Sequence, residues 1–319
     1  MERLTIVTFI SDNETPNTKL SSLVDCLKSV VKEIKMVIYT DNAFYDIIPI
    51  QKNIDVIIRP KTTKYMRILE SINHSESDGI LFIDNDITPD NDNLVKFISG
   101  ISQKVDLAWG YIGVSNNYGF MSRFLFIDKI YSHKILRPFL WKINIGISVP
   151  GQVFYMNKIK FKHDLPQYDT VFDDLTIGIS AKQHNYTTTC FPMYLGYERP
   201  SLSFPVLVKQ RIRWAKGFFQ SINNNMRTGM LPYVLAHGFI YHFLWLPAWL
   251  FIVLVGMLSL PLGILLFITI CVCICNKKIS LIGHSFIYVI VMPIIHMIWG
   301  FAVIYHIIAM KRNIRNNRS

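Results

Sequence analysis

Two aspartates one residue apart, Asp84 and Asp86, follow the apolar run GILFI at residues 79–83. Two carboxylates at this spacing can share one hard divalent cation, and Mg²⁺ or Mn²⁺ bound there can in turn hold a diphosphate. An aspartate pair after a strand also simply ends the strand or caps a helix, which is the alternative explanation. The apolar run favours metal binding, because it delivers both carboxylates to the end of a buried strand.

A second acidic pair, Asp173 and Asp174, precedes an apolar helical pattern at Leu175, Ile177 and Ile179. Acidic residues in the first turn stabilise a helix through its dipole, which is one explanation of the pair. The other is catalysis: one carboxylate faces a hydroxyl group as a general base, and its neighbour raises its pKa to suit that role. The sequence leaves both explanations open.

Two further charged residues stand at chemically useful positions. Asp41 follows the apolar run MVIYT at residues 36–40, which would place it at the same sheet edge as Asp84. A turn aspartate is the alternative. Lys64 lies twenty residues before Asp84, at the start of a helical stretch where it could meet a phosphate, and a surface lysine is the alternative.

The elements that would position these residues alternate along residues 1–115. Short apolar runs separated by helical stretches are typical of βαβ units, so we predict an α/β fold with a mostly parallel sheet. Such sheets bind ligands beyond the carboxyl ends of their strands. The following residues, 116–150, predict a helical insertion. The apolar runs are residues 4–10, 36–40, 55–58 and 79–84, the helical stretches are 20–31 and 64–72, and the strand ends carry Ser11-Asp12-Asn13, Asp41-Asn42 and Asp84-Asn85-Asp86.

Charged residues are absent from residues 231–275 and from residues 279–310. Each stretch exceeds the roughly 20 apolar residues that a helix needs to cross the hydrocarbon core. We therefore predict that residues 231–310 are embedded in a membrane, in two to four segments. The predicted organisation is a cytosolic domain at residues 1–230, this membrane region, and a basic cytosolic tail at residues 311–319.

The formal net charge of +11 is distributed unevenly. Residues 199–319 hold twelve Lys and Arg and no Asp or Glu, whereas residues 1–198 hold 21 basic and 22 acidic residues. Lys and Arg next to a membrane favour its cytoplasmic side and anionic lipids, so this distribution indicates membrane lipids rather than nucleic acid as the partner. With no signal peptide pattern at the first residues, we expect an integral membrane protein of the plasma membrane or an equivalent membrane, with its soluble part in the cytosol.

Taken in order, these features resemble the inverting family 2 glycosyltransferases of the cellulose, chitin and hyaluronan synthase type. The resemblance covers residues 4–220 and the apolar region that follows. It implies a GT-A fold, in which a Rossmann-like, mostly parallel sheet binds a nucleotide sugar. The ordered set is more specific than any of its members, and it consists of Asp41, Lys64, the D-x-D of Asp84 and Asp86, the FDD of residues 172–174, and the Q-x-x-R-W motif of Gln210, Arg213 and Trp214.

The resemblance implies a role for each matched residue on the donor side. Asp41 and Asp84 would hold the uridine and ribose of a UDP-sugar, and Asp86, together with Asp84, would coordinate Mn²⁺ or Mg²⁺ at the diphosphate. Lys64 matches a family lysine at the same distance before the D-x-D, where it would contact the nucleotide sugar.

On the acceptor side, Asp174 matches the family's catalytic base, and Asp173 beside it would bind the acceptor. Gln210 and Arg213 would assist the diphosphate, and Trp214 would stack under the acceptor sugar. A planar guanidinium suits a phosphate as a forked donor, and a flat indole suits the apolar face of a pyranose ring.

A basic amphipathic helix that rests on lipid headgroups is the alternative for the segment KQRIRWAKG at residues 209–217. It would account for Lys209, Arg211 and Lys216 without any catalytic role.

The sequence therefore predicts a membrane-bound, metal-dependent enzyme that transfers a sugar from UDP with inversion to a growing β-linked polysaccharide. Two alternatives remain for the acceptor side, because the membrane segments are few. One is single-sugar transfer to a membrane lipid, as in ceramide glucosyltransferases, and the other is a polymer channel built by homo-oligomerisation. A non-catalytic membrane subunit that binds a UDP-sugar is the alternative from outside the enzymes.

Overall fold

The computed structural model describes residues 1–10, 19–41, 54–58, 62–115, 119–199, 203–275 and 279–316. The chain forms two compact units, one of residues 1–115 and 147–199 and the other of residues 116–146 and 200–319. The first unit contains the β-sheet, and the second is helical.

The strands are β1 (Arg3–Ile10), β2 (Glu33–Thr40), β3 (Ile54–Ile58), β4 (Gly79–Ile83), β5 (Ile87–Pro89), β6 (Leu107–Val114), β7 (Val153–Asn157) and β8 (Thr188–Glu198). The helices are α1 (Lys19–Leu27), α2 (Lys64–His74), α3 (Asn91–Gly100), α4 (Phe120–Lys129), α5 (Arg137–Lys142), α6 (Lys158–Phe161), α7 (Asp173–Gln183), α8 (Phe204–Asn225), α9 (Leu231–Gly238), α10 (Trp245–Leu258), α11 (Leu260–Ile274) and α12 (Ile282–Asn316). Two π-helical segments, Ile130–Leu136 and Phe239–Phe243, and a 3₁₀ turn, Ile279–Leu281, connect helices of the second unit.

Eight strands form a single sheet within the described residues, in the order β3-β2-β1-β4-β7-β6-β8-β5. The first four strands in that order are mutually parallel, as βαβ units require. Strand β7 is antiparallel to both of its neighbours, and β8 runs parallel to β6 but antiparallel to β5. The predicted α/β fold with a mostly parallel sheet is confirmed, and the antiparallel pairs all involve strands after β4.

The predicted apolar runs correspond to the first four strands. Every residue of β4 is buried, and so is every residue of β1 after Arg3. The side chains on one face of these strands join an apolar core with helices α1 and α3, to which Ile6, Leu23, Leu81 and Phe97 contribute. Because β4 is apolar along its whole length, the first charged side chain that follows it stands at its carboxyl end.

The second unit contains the predicted helical insertion, in which helical structure runs from Phe120 to Lys142. It also contains the apolar helices of the C-terminal part. The segment Ile282–Tyr305 of α12 has a mean hydropathy of 2.3 and is the one helix in the described ranges that is long and apolar enough on its own to cross a bilayer. The pair Leu231–His242 and Trp245–Leu258, bent by 45°, would add a second crossing if it acts as one span.

Apolar side chains cover much of the surface of α10 and α11. Met257 is 79% exposed and Leu258 is 89% exposed. Leu250, Phe251 and Leu265 are each at least half exposed. A contiguous apolar surface of this kind marks a site of contact with lipid or with another protein. The number of membrane segments and the domain boundary at residue 230 stay predictions.

Several residues named above lie outside the described residues: Ser11, Asp12, Asn13, Asn42, and the last three residues of the predicted tail. The rest of that tail continues helix α12 as far as Asn316.

Candidate active site

Lys64 brings together two of the aspartates that the sequence singled out. Its Nζ atom lies 2.6 Å from Oδ1 of Asp84 and 3.3 Å from Oδ2 of Asp173, and it donates a hydrogen bond of 2.7 Å to the carbonyl oxygen of Gly151. These four residues come from the start of α2, the end of β4, the start of α7 and the turn before β7. The first unit thus joins residues up to 109 positions apart in one charged cluster.

The position of Asp84 follows from the strand that precedes it. Strand β4 lies between β1 and β7, and the ladder continues one step beyond it, where the backbone N–H of Asp84 donates to the carbonyl oxygen of Gln152 at 2.9 Å. This bond fixes the residue as the chain leaves the sheet. Its side chain then points out of the apolar core, half-buried, towards the first residue of α2.

The acidic pair Asp173 and Asp174 opens α7, a helix whose residues from Leu175 to Ala181 are all buried. The N–H of Leu175 donates to Oδ1 of Asp174 at 2.8 Å, as the helix dipole favours for an acidic first turn. A Cβ atom placed on Gly151 would lie 3.3 Å from Cβ of Asp174 and 3.6 Å from Oδ2 of Asp173. The turn before β7 therefore lies against both acidic side chains. The helix-dipole explanation and the catalytic one are thus compatible in this arrangement.

Gly178 determines how closely α7 approaches the rest of the first unit. A Cβ atom on this residue would lie 2.2 Å from the carbonyl oxygen of Ile147 and 2.5 Å from its carbonyl carbon. Real Cβ atoms do not come so close to backbone, so only glycine allows this packing. Because α7 starts five residues earlier, at Asp173, the close packing of Gly178 against Ile147 also sets how deeply Asp173 and Asp174 lie within the first unit.

Asp41 has a partner that the sequence did not indicate. The guanidinium of Arg67 forms an ion pair with its carboxylate, and both side chains are at least nine-tenths buried. Arg67 and Lys64 are three residues apart on α2, so they lie on one face of the helix. That face therefore presents two cations to two strand-end carboxylates, Asp41 after β2 and Asp84 after β4.

Burial raises the pKa of the Asp84 carboxyl to about 7, with the Lys64 ammonium acting against the rise and the carboxylates of Asp86 and Asp173 adding to it. Burial by itself would lower the pKa of Lys64, but the charges of Asp173 and Asp84 outweigh it and raise that pKa above its ordinary value. Lys64 is consequently a cation at neutral pH, held by a carboxylate that is crowded by like charges.

Asp86 is exposed, three residues beyond Ile83, the last residue of β4. No group of three or more His, Cys, Asp or Glu suited to a metal ion occurs within the ranges that the structure describes. A Mg²⁺-type site does not need such a group, because this ion is commonly held by one or two carboxylates together with substrate phosphates. Asp84 and Asp86 supply such a carboxylate pair.

The Q-x-x-R-W motif lies in the second unit, on α8. Arg213 is exposed, whereas Gln210 and Trp214 are half-buried. Lys209 and Lys216 are exposed, as expected for a helix that rests on headgroups. Arg211 departs from that interpretation: it is buried and pairs with Asp128 of α4 at 3.0 Å.

Sequence reasoning missed Arg67 and Asp128. A signal existed for each of them. Arg67 repeats the position of Lys64 one turn later on the same helix, and Asp128 is the only acidic residue between positions 116 and 150. An isolated acidic residue in an apolar, basic helical segment indicates a buried partner of opposite charge.

Solved structures resemble this fold. The mannosyltransferase PcManGT from Pyrobaculum calidifontis, in complex with GDP-Man and Mn²⁺, is similar with a TM-score of 0.53 at 11% identity, over 95% of this chain and 87% of that chain. Glucosyl-3-phosphoglycerate synthase from Mycobacterium tuberculosis, in complex with Mg²⁺ and UDP, gives a TM-score of 0.46 at 12% identity, over 67% of this chain and 77% of that one. At these identities the first likeness shows the GT-A fold alone.

A search of curated proteins found no match. The family described as glycosyl transferase family group 2 matches residues 79–304, a range that begins at β4 and ends within α12. This range includes Asp84, Asp86, the acidic start of α7 and the motif on α8. Since it covers more than half of the chain, the chain belongs to glycosyl transferase family group 2.

Proposed function

We propose that this glycosyltransferase is a membrane-bound, metal-dependent enzyme that transfers a sugar from a UDP-sugar, with inversion, to a growing β-linked polysaccharide. The observation that carries the proposal is the cluster of Lys64, Asp84 and Asp173 beside Gly151, at the carboxyl end of β4. It combines the charges that a nucleoside diphosphate and its cation need with an acidic helix start suited to a base.

The donor side of the site consists of the strand ends after β2 and β4. Asp41 and Asp84 would hold the nucleoside, and Lys64 would contact the diphosphate once Asp84 turns from it to the cation. Asp84 and Asp86 would hold Mn²⁺ or Mg²⁺, which fits their hard oxygen donors and the exposure of Asp86. When bound, the ion would offset the charge that grows on the diphosphate.

Asp174 would be the general base. Asp173 is already engaged by Lys64, whose Nζ atom lies 3.3 Å from Oδ2 of its carboxylate. A carboxylate held in this way can still accept a hydrogen bond from a hydroxyl group of the sugar acceptor. Asp173 would therefore position the acceptor while Asp174, next to it, removes the proton.

The reaction then requires one displacement. The acceptor oxygen bonds to C1 of the donor sugar as its proton passes to Asp174, and the bond from C1 to the diphosphate oxygen breaks on the opposite face, so that UDP leaves with the electron pair. An α-linked donor gives a β-linked product. Gln210 and Arg213 would assist the departing diphosphate, and Trp214 would stack under the acceptor sugar.

The membrane part of the proposal rests on the second unit. Its apolar helix Ile282–Tyr305, the exposed apolar surface of α10 and α11, and the positive charge of residues 199–319 all favour contact with a bilayer. The number of long apolar spans favours a second candidate, single-sugar transfer to a membrane lipid, because one or two spans are few for a polysaccharide channel within one subunit.

Product size would separate these candidates. Membranes that carry the wild type or Asp174→Asn are incubated with Mn²⁺ and labelled UDP-glucose, UDP-N-acetylglucosamine, UDP-glucuronate or GDP-mannose, singly and in pairs. We expect long labelled chains that are absent with Asp174→Asn. Asp92→Asn, which removes an exposed acid from the first turn of α3, is the matched control and should retain transfer.

Short, organic-soluble labelled product would instead establish a lipid acceptor. Transfer from GDP-mannose alone would contradict the UDP-sugar donor. If the wild type binds a donor but transfers no sugar from any of the donors tested, the enzymatic proposal is refuted and a non-catalytic subunit is favoured.

A further inference from the structure

Arg211 stands inside the Q-x-x-R-W motif, at a position to which the proposed function gives no role. It is 4% exposed, and its guanidinium donates to Oδ2 of Asp128 at 3.0 Å. The other oxygen of the same carboxylate, Oδ1, accepts a hydrogen bond of 2.8 Å from the hydroxyl of Tyr288. One carboxylate on α4 therefore connects the motif helix α8 to the apolar helix α12, entirely within the second unit.

The surroundings of this network are apolar. Phe124, Leu207 and Trp245 pack in the same buried cluster as Tyr288, whose ring centre lies 5.0 Å from that of Phe124 and 5.7 Å from that of Trp245. An ion pair in such a place costs desolvation energy, which replacement by apolar side chains would remove. Stability alone therefore does not account for the ion pair of Arg211 and Asp128.

The charged state of the pair is maintained by its partners. Burial alone would raise the pKa of Asp128, but Arg211 and the hydroxyl of Tyr288 outweigh it and hold that pKa below its ordinary value. The guanidinium is thereby fixed by Oδ2 of a carboxylate whose other oxygen, Oδ1, is held by the hydroxyl of Tyr288 on α12.

The other contact of the guanidinium is with the motif itself. The central carbon of Arg211 lies 4.3 Å from the ring centre of Trp214, which is the distance of a cation–π contact. Residues three apart on a helix are neighbours on its surface, so Arg211 supports the indole from one side of α8. Trp214 is only half-buried, and much of its remaining surface is available for contact.

We propose that Arg211, anchored by Asp128 and Tyr288, is a positioning residue that fixes the plane of the Trp214 indole. Its consequence for catalysis rests on the proposed function, in which that indole stacks under the acceptor sugar. A planar guanidinium meets both the carboxylate and the aromatic face, whereas an ammonium at the same place is a point charge that does not cover the ring. Lysine at position 211 would keep the charge and lose the support.

The first test needs no activity. The full chain, labelled with 5-fluorotryptophan in detergent micelles, gives fluorine resonances for its six tryptophans, and the one that disappears in Trp214→Phe belongs to Trp214. We expect Arg211→Lys, Asp128→Asn and the milder Tyr288→Phe to move or broaden that resonance. Trp109, buried in the sheet of the first unit, is the internal reference.

The matched control is Lys216→Met, which removes an exposed charge from the same helix and should leave the Trp214 resonance in place. A Trp214 resonance that is unchanged in all three network variants would overturn the proposal. Equal displacement of every resonance, including that of Trp109, would show a role in the fold as a whole and would overturn it too.

The second test measures how the labelled donor divides between transfer and hydrolysis by water. A poorly held indole should admit water at the expense of the acceptor, so the ratio of transfer to hydrolysis should fall about tenfold in Arg211→Lys and Asp128→Asn. A loss of folded enzyme would lower both rates equally and leave the ratio unchanged, which would count against the proposal. If the wild type transfers no sugar, the proposed function fails, while the fluorine spectra still decide the placement of Trp214.

Discussion

At the scale of single residues, Lys64 acts as the counter-cation of the site. Its ammonium contacts carboxylates of two elements, Asp84 at 2.6 Å and Asp173 at 3.3 Å. A divalent cation would compete with it for the same oxygens. Lys64 therefore keeps the acidic cluster neutralised in the absence of a donor, and a bound nucleotide with its cation would have to displace it from Asp84.

Replacement of Lys64 by methionine should tighten the binding of Mn²⁺ without nucleotide. The like-charged ammonium no longer opposes the ion, and we expect affinity to rise about tenfold, as measured by titration of the Mn²⁺ electron paramagnetic resonance signal. Lys35→Met, which removes a lysine from an exposed pair with Asp55, should leave the affinity unchanged. Equal Mn²⁺ affinity in Lys64→Met and wild type would place the metal away from Asp84.

The buried pair of Arg67 and Asp41 should show a characteristic asymmetry in stability. Arg67→Met leaves a buried carboxylate without its partner and should lower the free energy of unfolding by about 3 kcal/mol. The double variant Arg67→Met with Asp41→Leu, which replaces both charges by apolar side chains, should recover most of that loss. Urea denaturation of the chain in detergent measures both effects, and additive losses in the double variant would contradict the buried ion pair.

At the scale of elements, α7 connects packing to chemistry. Its body is buried and its first turn carries the acidic pair, so any change in its depth moves the carboxylates. The close approach of Gly178 to the backbone of Ile147 is the contact that sets this depth. The helix thus transmits a packing constraint to the proposed base.

Gly178→Ala should push α7 outward and disturb Asp173 and Asp174. Backbone at 2.2 Å from the new Cβ atom has no rotamer by which to yield, so we expect a loss of about 2 kcal/mol in stability and a larger fractional loss of transfer. Gly229→Ala, where no heavy atom lies within 4 Å of the added carbon, is the control and should change neither. Full transfer activity in Gly178→Ala would separate the helix depth from catalysis.

At the scale of the whole molecule, the two units differ in what covers their surfaces. The first packs apolar side chains of its strands and helices into a buried core, while the second leaves apolar side chains of α10 and α11 exposed. The proposed bilayer would cover this surface. Cys273 on α11 is exposed and Cys26 on α1 is partly exposed, and they offer one thiol for each environment.

Single-cysteine variants should report this difference directly. In intact membranes, a charged, membrane-impermeant maleimide should label Cys26 when the cytosolic face is accessible and should leave Cys273 unlabelled, because lipid would surround it. Denaturation in detergent should make both thiols reactive. Rapid labelling of Cys273 in intact membranes would contradict the placement of α11 in a bilayer.

Sequence alone was sufficient for the parallel strands β1 to β4 and for the order of the acidic motifs, but not for strands β5 to β8 and their antiparallel pairs. A continuous apolar run of five residues, such as residues 79–83, has the length of a buried strand rather than of a helix, and the charged residue that follows it then stands at a strand end. The ordered motif of Asp84, Asp86 and the FDD of residues 172–174 indicated the family that the match over residues 79–304 shows. These features are local, and local patterns can be recognised without knowledge of the fold.

Tertiary structure alone decided which charges meet. Lys64 contacts Asp173 across 109 positions, and Arg211 contacts Asp128 across 83, and no local pattern specifies such partners. It also decided that Arg211 faces inward while Lys209 and Lys216 of the same basic stretch face outward. The physical reason is that a charged side chain is buried only where a partner of opposite charge offsets its desolvation, and the fold brings that partner from a distant part of the chain.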